Sequence, residues 1–215
     1  MSHVEDNMEA VLAALPGLCE PAAVRAPEAE NHADLMRRCQ GGDEDAFAEL
    51  VRRYQPRVGS VVRGILRHSN DCDDVTQQVF TKVYFALKRF NFQSAVSTWI
   101  YKITVNECYD HLRKQKVRHA KILADLSEQE AAWIENHDPG DGAPSLARQV
   151  ETRELADKLL ARVAVDDRVL LVLKEVEGYA VREVAAIMGL NENTVKVRLF
   201  RARQALVSAW RKKRV

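Results

Sequence analysis

Apolar residues recur along this chain at the three- and four-residue spacing of an amphipathic α-helix. The clearest series are Phe47, Leu50, Val51 and Tyr54, and then Val75, Val79, Val83 and Leu87. Residues at this spacing lie on one face of a helix, whereas a half-buried strand alternates apolar and polar residues. Because that alternation is almost absent, the sequence predicts an all-α fold.

A cluster of glycine and proline divides the chain into two pieces. The densest run of helix breakers, DPGDGAP, occupies residues 138–144. This composition is typical of turns and linkers, so we predict that residues 120–149 form a flexible acidic linker. The segments on either side, residues 34–119 and 150–215, are predicted to be two compact helical domains.

Helix boundaries in the first domain follow from caps and breakers. Asp34 is the predicted N-cap of its first helix, and Gly41-Gly42-Asp43 should end that helix and cap the next. A third helix is predicted to start in the acidic cluster at residues 70–74, and a fourth to run from Trp99 to Leu112.

Charge is segregated along the chain, although the formal net charge is only +1. The net charges are −5, +5, −4 and +5 for residues 1–33, 34–119, 120–149 and 150–215. The first of these segments contains three prolines and is predicted to be a flexible N-terminal extension with one short helix over residues 4–15. The two basic domains can bind a polyanion even though the whole chain is nearly neutral.

Composition narrows the class of protein further. The four cysteines form no Cys-x-x-Cys pair, which is typical of proteins in a reducing compartment. No apolar run approaches the roughly 18 residues that a membrane span needs. The N-terminus lacks the basic start and apolar core of a secretory signal. We therefore expect an intracellular protein that does not insert into a membrane.

Residues 167–209 have the pattern of a helix-turn-helix. A short helix over residues 181–188 precedes Gly189-Leu190-Asn191, and a long basic helix follows from about Glu192. Two helices joined by a tight glycine-containing turn are typical of DNA-binding domains. On a helical wheel the buried face is predicted to hold Val195, Leu199, Ala202 and Leu206, the opposite face Val197, Phe200, Arg201 and Gln204, and the flanks Lys196, Arg198 and Arg203. Such a front can offer guanidinium groups to guanine edges and phosphates; the alternative is a terminal helix with a solvated basic face.

Aromatic and polar residues are mixed at the end of the first domain. Phe90, Phe92, Trp99, Tyr101 and Tyr109 lie within twenty positions and are followed by a basic run from Arg113 to Lys121. Aromatic side chains can stack on unpaired bases while nearby lysines and arginines contact the phosphates. We predict that the polar loop over residues 91–98 is a functional surface and that Trp99 belongs to the core.

Two ordered sets of motifs resemble the extracytoplasmic-function (ECF) sigma factors of the sigma-70 family. NDCDDVTQQVF at residues 70–80, STWIYKITVN at 97–106 and Arg113-Lys114 resemble region 2 of that family. EGY at residues 177–179, EVA at 183–185 and TVKVRLFRAR at 194–203 resemble region 4. The two matches occur in the expected order and spacing.

The resemblance implies a non-enzymatic, alternative sigma factor used in stress responses. Such a protein binds core RNA polymerase through the β′ clamp and the β subunit, reads −35 and −10 promoter elements, and assists strand opening. It implies promoter DNA and an anti-sigma factor as further partners, and no catalytic residue, metal or cofactor. It also implies a cytoplasmic, nucleoid-associated protein that an anti-sigma factor can hold at the inner membrane.

The resemblance also assigns residues to three surfaces. Those expected to contact core polymerase are Asp73, Asp74, Val75, Gln77, Gln78, Val79 and Phe80. Those expected to bind the −10 element are Phe90, Asn91, Gln93, Ser94, Ser97, Thr98, Trp99, Lys102, Asn106, Asp110, Arg113 and Lys114. Those expected to bind the −35 element are Thr194, Lys196, Val197, Arg198, Phe200, Arg201 and Arg203.

Three alternatives make different predictions. A response regulator with a similar helix-turn-helix would carry an α/β receiver domain before it. A metal or redox sensor could use the pairs His68/Cys72 and Cys108/His111, which have helical spacing. A magnesium enzyme could use the acidic cluster at residues 71–74, although helix N-capping explains the same residues.

Overall fold

The computed structural model describes residues 29–67, 70–125 and 163–213, which form seven α-helices and no strand. The helices are α1 (Ala29–Gln40), α2 (Glu44–Leu66), α3 (Cys72–Ala86), α4 (Val96–Asp125), α5 (Val165–Leu171), α6 (Val181–Met188) and α7 (Glu192–Lys213). A 3-10 turn, Leu87–Arg89, follows α3, and a π-helical segment, Val172–Val176, follows α5. The all-α prediction is confirmed. The predicted helix over residues 4–15 and most of the predicted linker lie outside the described residues.

Two predicted helix boundaries are wrong and one is confirmed. Asp34 lies inside α1, which begins at Ala29 because no glycine or proline interrupts residues 29–40. Helix α4 extends beyond its predicted bounds at both ends and continues into residues 120–125 of the predicted linker. Asp43 caps α2 as predicted, because its carboxylate accepts a hydrogen bond of 2.9 Å from the Ala46 amide.

The first domain is built on three long helices, α2, α3 and α4, with α1 packed against α2. The apolar series of α3 predicted from four-residue spacing is buried, with Val75, Val79 and Val83 fully covered. The side chains of Leu50, Val58 and Ile65 from α2 and of Ile100 and Tyr101 from α4 complete this core.

An ion pair between an exposed lysine and a buried glutamate joins α3 to α4. The Glu107 side chain is only 2% exposed, and its carboxylate contacts the ammonium group of Lys82. That ammonium group also lies 3.5 Å from Asp110 Oδ2. The contact with Glu107 raises the pKa of Lys82. Since a buried carboxylate is costly without a partner, this pair fixes α4 against α3.

The second domain is a compact arrangement of α5, α6 and α7. Its core is formed by Val169, Leu170 and Leu173 together with Val184 and Val195. Helix α6 ends at Gly189, whose φ of 66° lies in the left-handed region that glycine adopts without strain. The Leu190 amide donates back to the Ala185 carbonyl over 3.0 Å, so the chain turns tightly into α7.

The two domains pack against each other through one continuous apolar core. Helix α6 lies against α4, and α5 lies against the end of α2. The rings of Tyr101 and Tyr179 meet edge to face across this boundary with their centroids 5.2 Å apart. Both rings are buried, so this contact is shielded from solvent.

Arg168 of α5 forms a polar tie across the same boundary. Its side chain is buried, and Nη1 donates a hydrogen bond of 2.8 Å to the Ile65 carbonyl in the last turn of α2. The last four carbonyls of a helix have no partner within that helix, and this end of the helix dipole favours a positive charge. Nη2 donates to the Val163 carbonyl over 3.3 Å. The second domain therefore caps a helix of the first.

Replacing Arg168 with alanine should lower the free energy of unfolding by about 2–3 kcal/mol, because the charged hydrogen bond is lost and a buried carbonyl is left without its donor. Chemical denaturation monitored by circular dichroism measures this change. The exposed arginine Arg52 of α2 provides the control, since Arg52→Ala should change stability by less than about 0.5 kcal/mol. Equal stability of the two variants would contradict the account of this contact.

Glu177 gives the domain boundary a pH dependence. Burial raises the pKa of its carboxyl group, while a hydrogen bond to Ser60 and the charge of Arg57 oppose the shift. Since the folded state then binds a proton more readily than the unfolded state, this group lowers stability as pH rises from the unfolded-state pKa, near 4.5, through the folded pKa.

We expect Glu177→Gln to be more stable than the parent protein at pH 7, because the amide carries no charge to desolvate. The difference should shrink toward zero below about pH 4, where the glutamate is protonated in both states. Thermal unfolding of the two proteins between pH 4 and pH 8 measures this effect. A stability difference that does not change with pH would show that burial of the carboxylate is not its cause.

Candidate nucleic-acid interface

The predicted helix-turn-helix is present and its turn is well supported by hydrogen bonds. Helix α6 ends at Gly189, and Asn191 caps α7 by accepting a hydrogen bond of 2.7 Å from the Thr194 amide. The Ala180 amide donates to the Glu183 carboxylate over 2.8 Å and so fixes the start of α6. These local contacts set the angle at which α7 leaves the turn.

Helix α7 has the two faces that its sequence predicts. Val195, Leu199, Ala202 and Leu206 are buried against α5 and α6. The opposite face is exposed and consists of Lys196, Val197, Phe200, Arg201 and Gln204. The side chains of Val197 and Phe200 are 50% and 56% exposed, so this face presents apolar as well as basic groups to solvent. An open concave surface at the start of α7 is lined by Thr194, Val197 and Arg201.

Arg198 and Arg203, which the resemblance places on the −35 surface, are held by acids of their own domain. Arg198 Nε donates to Asp167 over 2.7 Å, and its Nη2 lies 3.4 Å from Asp166. Arg203 Nε donates to Glu175 over 3.0 Å. Both arginines therefore fasten α7 to α5 and to the π-helical segment after it, and their guanidinium groups already have carboxylate partners.

The loop between the 3-10 turn and α4 carries an aromatic cluster. Phe90 packs against Trp99 and Phe92, with ring centroids 5.0 Å and 4.9 Å away. Phe90, which is predicted to bind the −10 element, is only 5% exposed, and its ring packs beneath the loop. Trp99 is half-buried and packs against the core, as predicted.

Phe92, in contrast, presents its ring at the surface. The side chain is 39% exposed, and its backbone has a φ of 60°, which is uncommon for a residue other than glycine. Its neighbours Asn91, Gln93 and Ser94 are exposed, and the Asn91 side chain accepts a hydrogen bond of 3.2 Å from the Gln93 amide. The loop thus presents one aromatic ring among polar groups.

Two residues of α1 that sequence reasoning missed hold this loop. Gln40 donates to the carbonyls of Leu87 and Phe90, and the Arg37 guanidinium lies over the Phe92 ring. Some fifty residues separate Gln40 from its partners, and no local pattern in the sequence indicates the contact.

Helix α4, which follows the loop, carries further residues of the predicted −10 surface. Lys102, Asn106, Arg113 and Lys114 are exposed along α4, and Asp110 lies between them, 3.4 Å from Arg113. The predicted residues Thr98 and Ser97 are half-buried. Ser97 also forms a hydrogen bond with Tyr179 of the second domain, so it lies at the domain boundary.

The predicted polymerase-binding residues divide into exposed and buried ones. Asp73, Asp74, Gln77 and Gln78 are exposed on α3. Val75, Val79 and Phe80 are buried in the first domain, and Val75 and Val79 are fully covered. Phe80 is 7% exposed and forms the floor of a groove.

That groove lies between α2 and α3 and is largely apolar. Its volume is about 360 Å³, and its lining includes Phe47, Val51, Phe80, Tyr84 and Phe85. The side chains of Tyr84 and Phe85 are 52% and 76% exposed. The sequence analysis did not identify either residue. One signal was available, since Phe85 is a large apolar residue outside the four-residue series Val75, Val79, Val83 that marks the buried face of α3.

The residues proposed for a redox or metal site are placed unfavourably for that chemistry. Cys72 and Cys108 are buried, and burial raises the pKa of both thiols, which disfavours the reactive thiolate. His111 pairs with Asp71 over 3.2 Å, and His68 lies outside the described residues. Within residues 29–67, 70–125 and 163–213, no three His, Cys, Asp or Glu side chains are grouped as a metal site.

Among the described helices, none has the length and apolar character that crossing a membrane requires.

Comparison with known proteins decides the family. Residues 50–118 match Sigma-70 region 2, and residues 153–206 match Sigma-70 region 4. The ECF RNA polymerase sigma-E factor of Escherichia coli K12 is 35% identical over 178 residues, which cover 80% of this chain and 90% of the relative. This chain belongs to the ECF sigma factors. The ECF sigma factor SigM of Mycobacterium tuberculosis is 29% identical over 88% of this chain and 90% of its own.

Solved sigma-factor structures share the fold. CnrH, solved in complex with the cytosolic domain of CnrY, aligns with a TM-score of 0.62 and 22% identity over 83% of this chain and 96% of its own. RpoE of Bartonella quintana, solved with the anti-sigma factor NepR, aligns with a TM-score of 0.60 and 20% identity, over 77% of this chain and 96% of its own. The protein is thus a promoter-recognising sigma factor with regions 2 and 4.

The geometry of α7 predicts different effects for two neighbouring arginines. Arg198→Ala should lower the free energy of unfolding by about 1 kcal/mol, because it removes half-buried contacts to Asp166 and Asp167. Arg201→Ala should leave stability unchanged but weaken binding to −35 duplex DNA by about 1–3 kcal/mol if the guanidinium reads a base. Denaturation and a duplex-binding titration measure the two effects, and unchanged promoter choice by Arg201→Ala would refute its role.

Proposed function

We propose that this sigma factor binds core RNA polymerase, reads a −35 element with α7 and a −10 element with the loop and exposed face of α4, and has no catalytic activity of its own. The observation that carries the proposal is the presence of two exposed surfaces suited to nucleic acid, one on each domain. Both surfaces are open to solvent while the domains pack together.

The −35 surface consists of Thr194, Lys196, Val197, Phe200 and Arg201. It combines donors for base edges and phosphates with apolar groups that can contact thymine methyl groups. The first turn of α7 also offers free amides to a phosphate. Arg198 and Arg203 act indirectly, because their ion pairs fix the orientation of the helix.

The −10 surface fits an unpaired strand better than a duplex. Stacking of a base on an exposed aromatic ring contributes about 1–3 kcal/mol, and Phe92 offers such a ring. Asn106 and Lys102 lie along α4 as polar partners for the base and the backbone, and Arg113 and Lys114 extend the basic track. These contacts offset the few kcal/mol that unstacking a base costs.

The polymerase-binding surface is proposed to combine the groove between α2 and α3 with the acidic start of α3. Tyr84 and Phe85 supply exposed aromatic area, which is enriched at protein interfaces. Asp73, Asp74, Gln77 and Gln78 form a polar border beside it. We propose the β′ clamp as the partner of this surface and the β subunit as a further contact of the protein.

An anti-sigma factor is proposed as a second protein partner. Support comes from RpoE of Bartonella quintana, which was solved in complex with the anti-sigma factor NepR and shares this fold. We further propose that the protein acts in the cytoplasm at the nucleoid, and that its anti-sigma factor can hold it at the inner membrane.

Run-off transcription tests the proposed function. Purified bacterial core polymerase is incubated with a pool of upstream DNA fragments, with and without this protein. Specific transcripts that appear only with the protein, and whose start sites share two upstream elements, support the proposal. Failure of the protein to bind core polymerase would overturn it.

Asn106→Ala should slow strand opening while sparing duplex binding, because its side chain is exposed on α4 where an unpaired base would lie. Permanganate reactivity of −10 thymines measures opening, and a gel-shift with −35 duplex DNA measures binding. Arg52→Ala, an exposed change on α2 away from both proposed DNA surfaces, is the control and should open the promoter normally. Normal opening by Asn106→Ala would count against the assignment of Asn106 to the −10 surface.

A further inference from the structure

Gln40, the last residue of α1, is bonded to the backbone at the base of the −10 loop. Its side-chain amide donates to the Leu87 carbonyl over 2.9 Å and to the Phe90 carbonyl over 2.8 Å. Both hydrogen bonds are partly buried. The Phe90 amide also donates to the Leu87 carbonyl over 3.0 Å. One amide group therefore spans the 3-10 turn and fixes the point at which the loop leaves it.

Arg37 lies one turn earlier on the same face of α1 and contacts the tip of the loop. Its guanidinium carbon is 5.4 Å from the centroid of the Phe92 ring, within the range of a cation–π interaction. Since residues three apart share a helix face, Arg37 and Gln40 form a pair of contacts to one loop. The other side of the loop is held by Trp99 of α4, through the Phe90 ring.

Phe92 needs this support because of its backbone. A φ of 60° is unfavourable for a bulky side chain, and such a conformation persists only where the surroundings enforce it. The Phe92 ring remains partly exposed, so the contacts that fix it do not hide it. A loop held in its binding conformation avoids part of the ordering cost on association.

We propose that Gln40 and Arg37 are positioning residues for recognition of the unpaired −10 strand. They hold the loop so that Phe92 and its polar neighbours face single-stranded DNA before that strand arrives. This inference rests on the proposed function of the loop. It assigns to α1 a role in promoter specificity that acts through the loop backbone and the Phe92 ring.

The chain offers a matched control for the change at Arg37. Arg38 lies beside Arg37 in the last turn of α1, but it pairs with Asp43 and not with the loop. Arg37→Ala and Arg38→Ala thus remove the same charge from neighbouring positions, so a difference between them cannot come from general attraction to DNA. Arg37→Lys keeps a cation near the ring and serves as the conservative variant. Gln40→Leu removes both donors while keeping a side chain of similar size.

The test uses the full-length protein assembled with core polymerase. The probe is a fluorescent non-template oligonucleotide spanning the −10 element of a promoter recovered by run-off transcription, compared with a scrambled oligonucleotide. Gln40→Leu should bind the −10 oligonucleotide roughly tenfold more weakly, since two hydrogen bonds that order the loop are lost. Arg37→Ala should bind it about threefold more weakly, Arg37→Lys should recover most of that loss, and Arg38→Ala should match the parent protein.

Two further readouts separate positioning from general folding. Binding to core polymerase and to −35 duplex DNA should be unchanged in Gln40→Leu and Arg37→Ala, whereas a misfolded variant would lose both. Loss of all three activities together would show that Gln40 only stabilises the domain and would overturn the proposal, and so would −10 binding equal to that of the parent. If the parent protein itself does not distinguish the −10 oligonucleotide from the scrambled one, the proposed function of the loop fails, and this inference fails with it.

Discussion

The contact between Arg168 and the end of α2 joins the two halves of the structure. The last carbonyls of a helix have no hydrogen-bond partner within that helix. In α2, the Ile65 carbonyl accepts a hydrogen bond from the guanidinium group of Arg168 in the other domain. Because Arg168 lies in α5, which packs against α7, this contact helps to fix the position of the proposed −35 surface relative to α2, a long helix of the first domain. The Tyr101–Tyr179 contact extends the same boundary to α4, which carries part of the proposed −10 surface. The relative placement of the two proposed DNA surfaces in this structure therefore depends on a small set of buried contacts.

Much of the fold could be predicted from the sequence because it depends on local rules. Four-residue apolar spacing identified the buried face of α3, and the glycine-containing turn identified the helix-turn-helix with its buried Val195 and Leu199. Helix boundaries were harder to predict. Asp34 has the chemistry of an N-cap, but it lies inside α1 because no glycine or proline interrupts residues 29–40. The candidate site was harder to predict. Its features arise from contacts between distant segments. Phe92 is exposed whereas Phe90 is buried, and Arg198 and Arg203 form ion pairs within their own domain. Gln40 forms hydrogen bonds with the backbone of a loop fifty residues away.

The two surfaces differ in how they are made rigid. Helix α7 is fixed by an apolar back and by ion pairs to Asp167 and Glu175, so its exposed front can vary without loss of the fold. The −10 loop has no regular hydrogen-bonded structure and takes its shape from side chains of α1 and α4. This difference suits their proposed tasks, because a duplex groove accepts a preformed helix, whereas an unpaired base requires a shaped pocket.

Photo-crosslinking from two positions tests the central claim most directly. A benzophenone side chain is placed at position 92 in one variant and at position 200 in another, and each is assembled with core polymerase on promoter DNA. We expect crosslinks from position 92 to the non-template strand in the −10 element and from position 200 to the −35 duplex. Crosslinks from position 92 to duplex DNA only, or from both positions to the same element, would contradict the assignment of one DNA element to each domain.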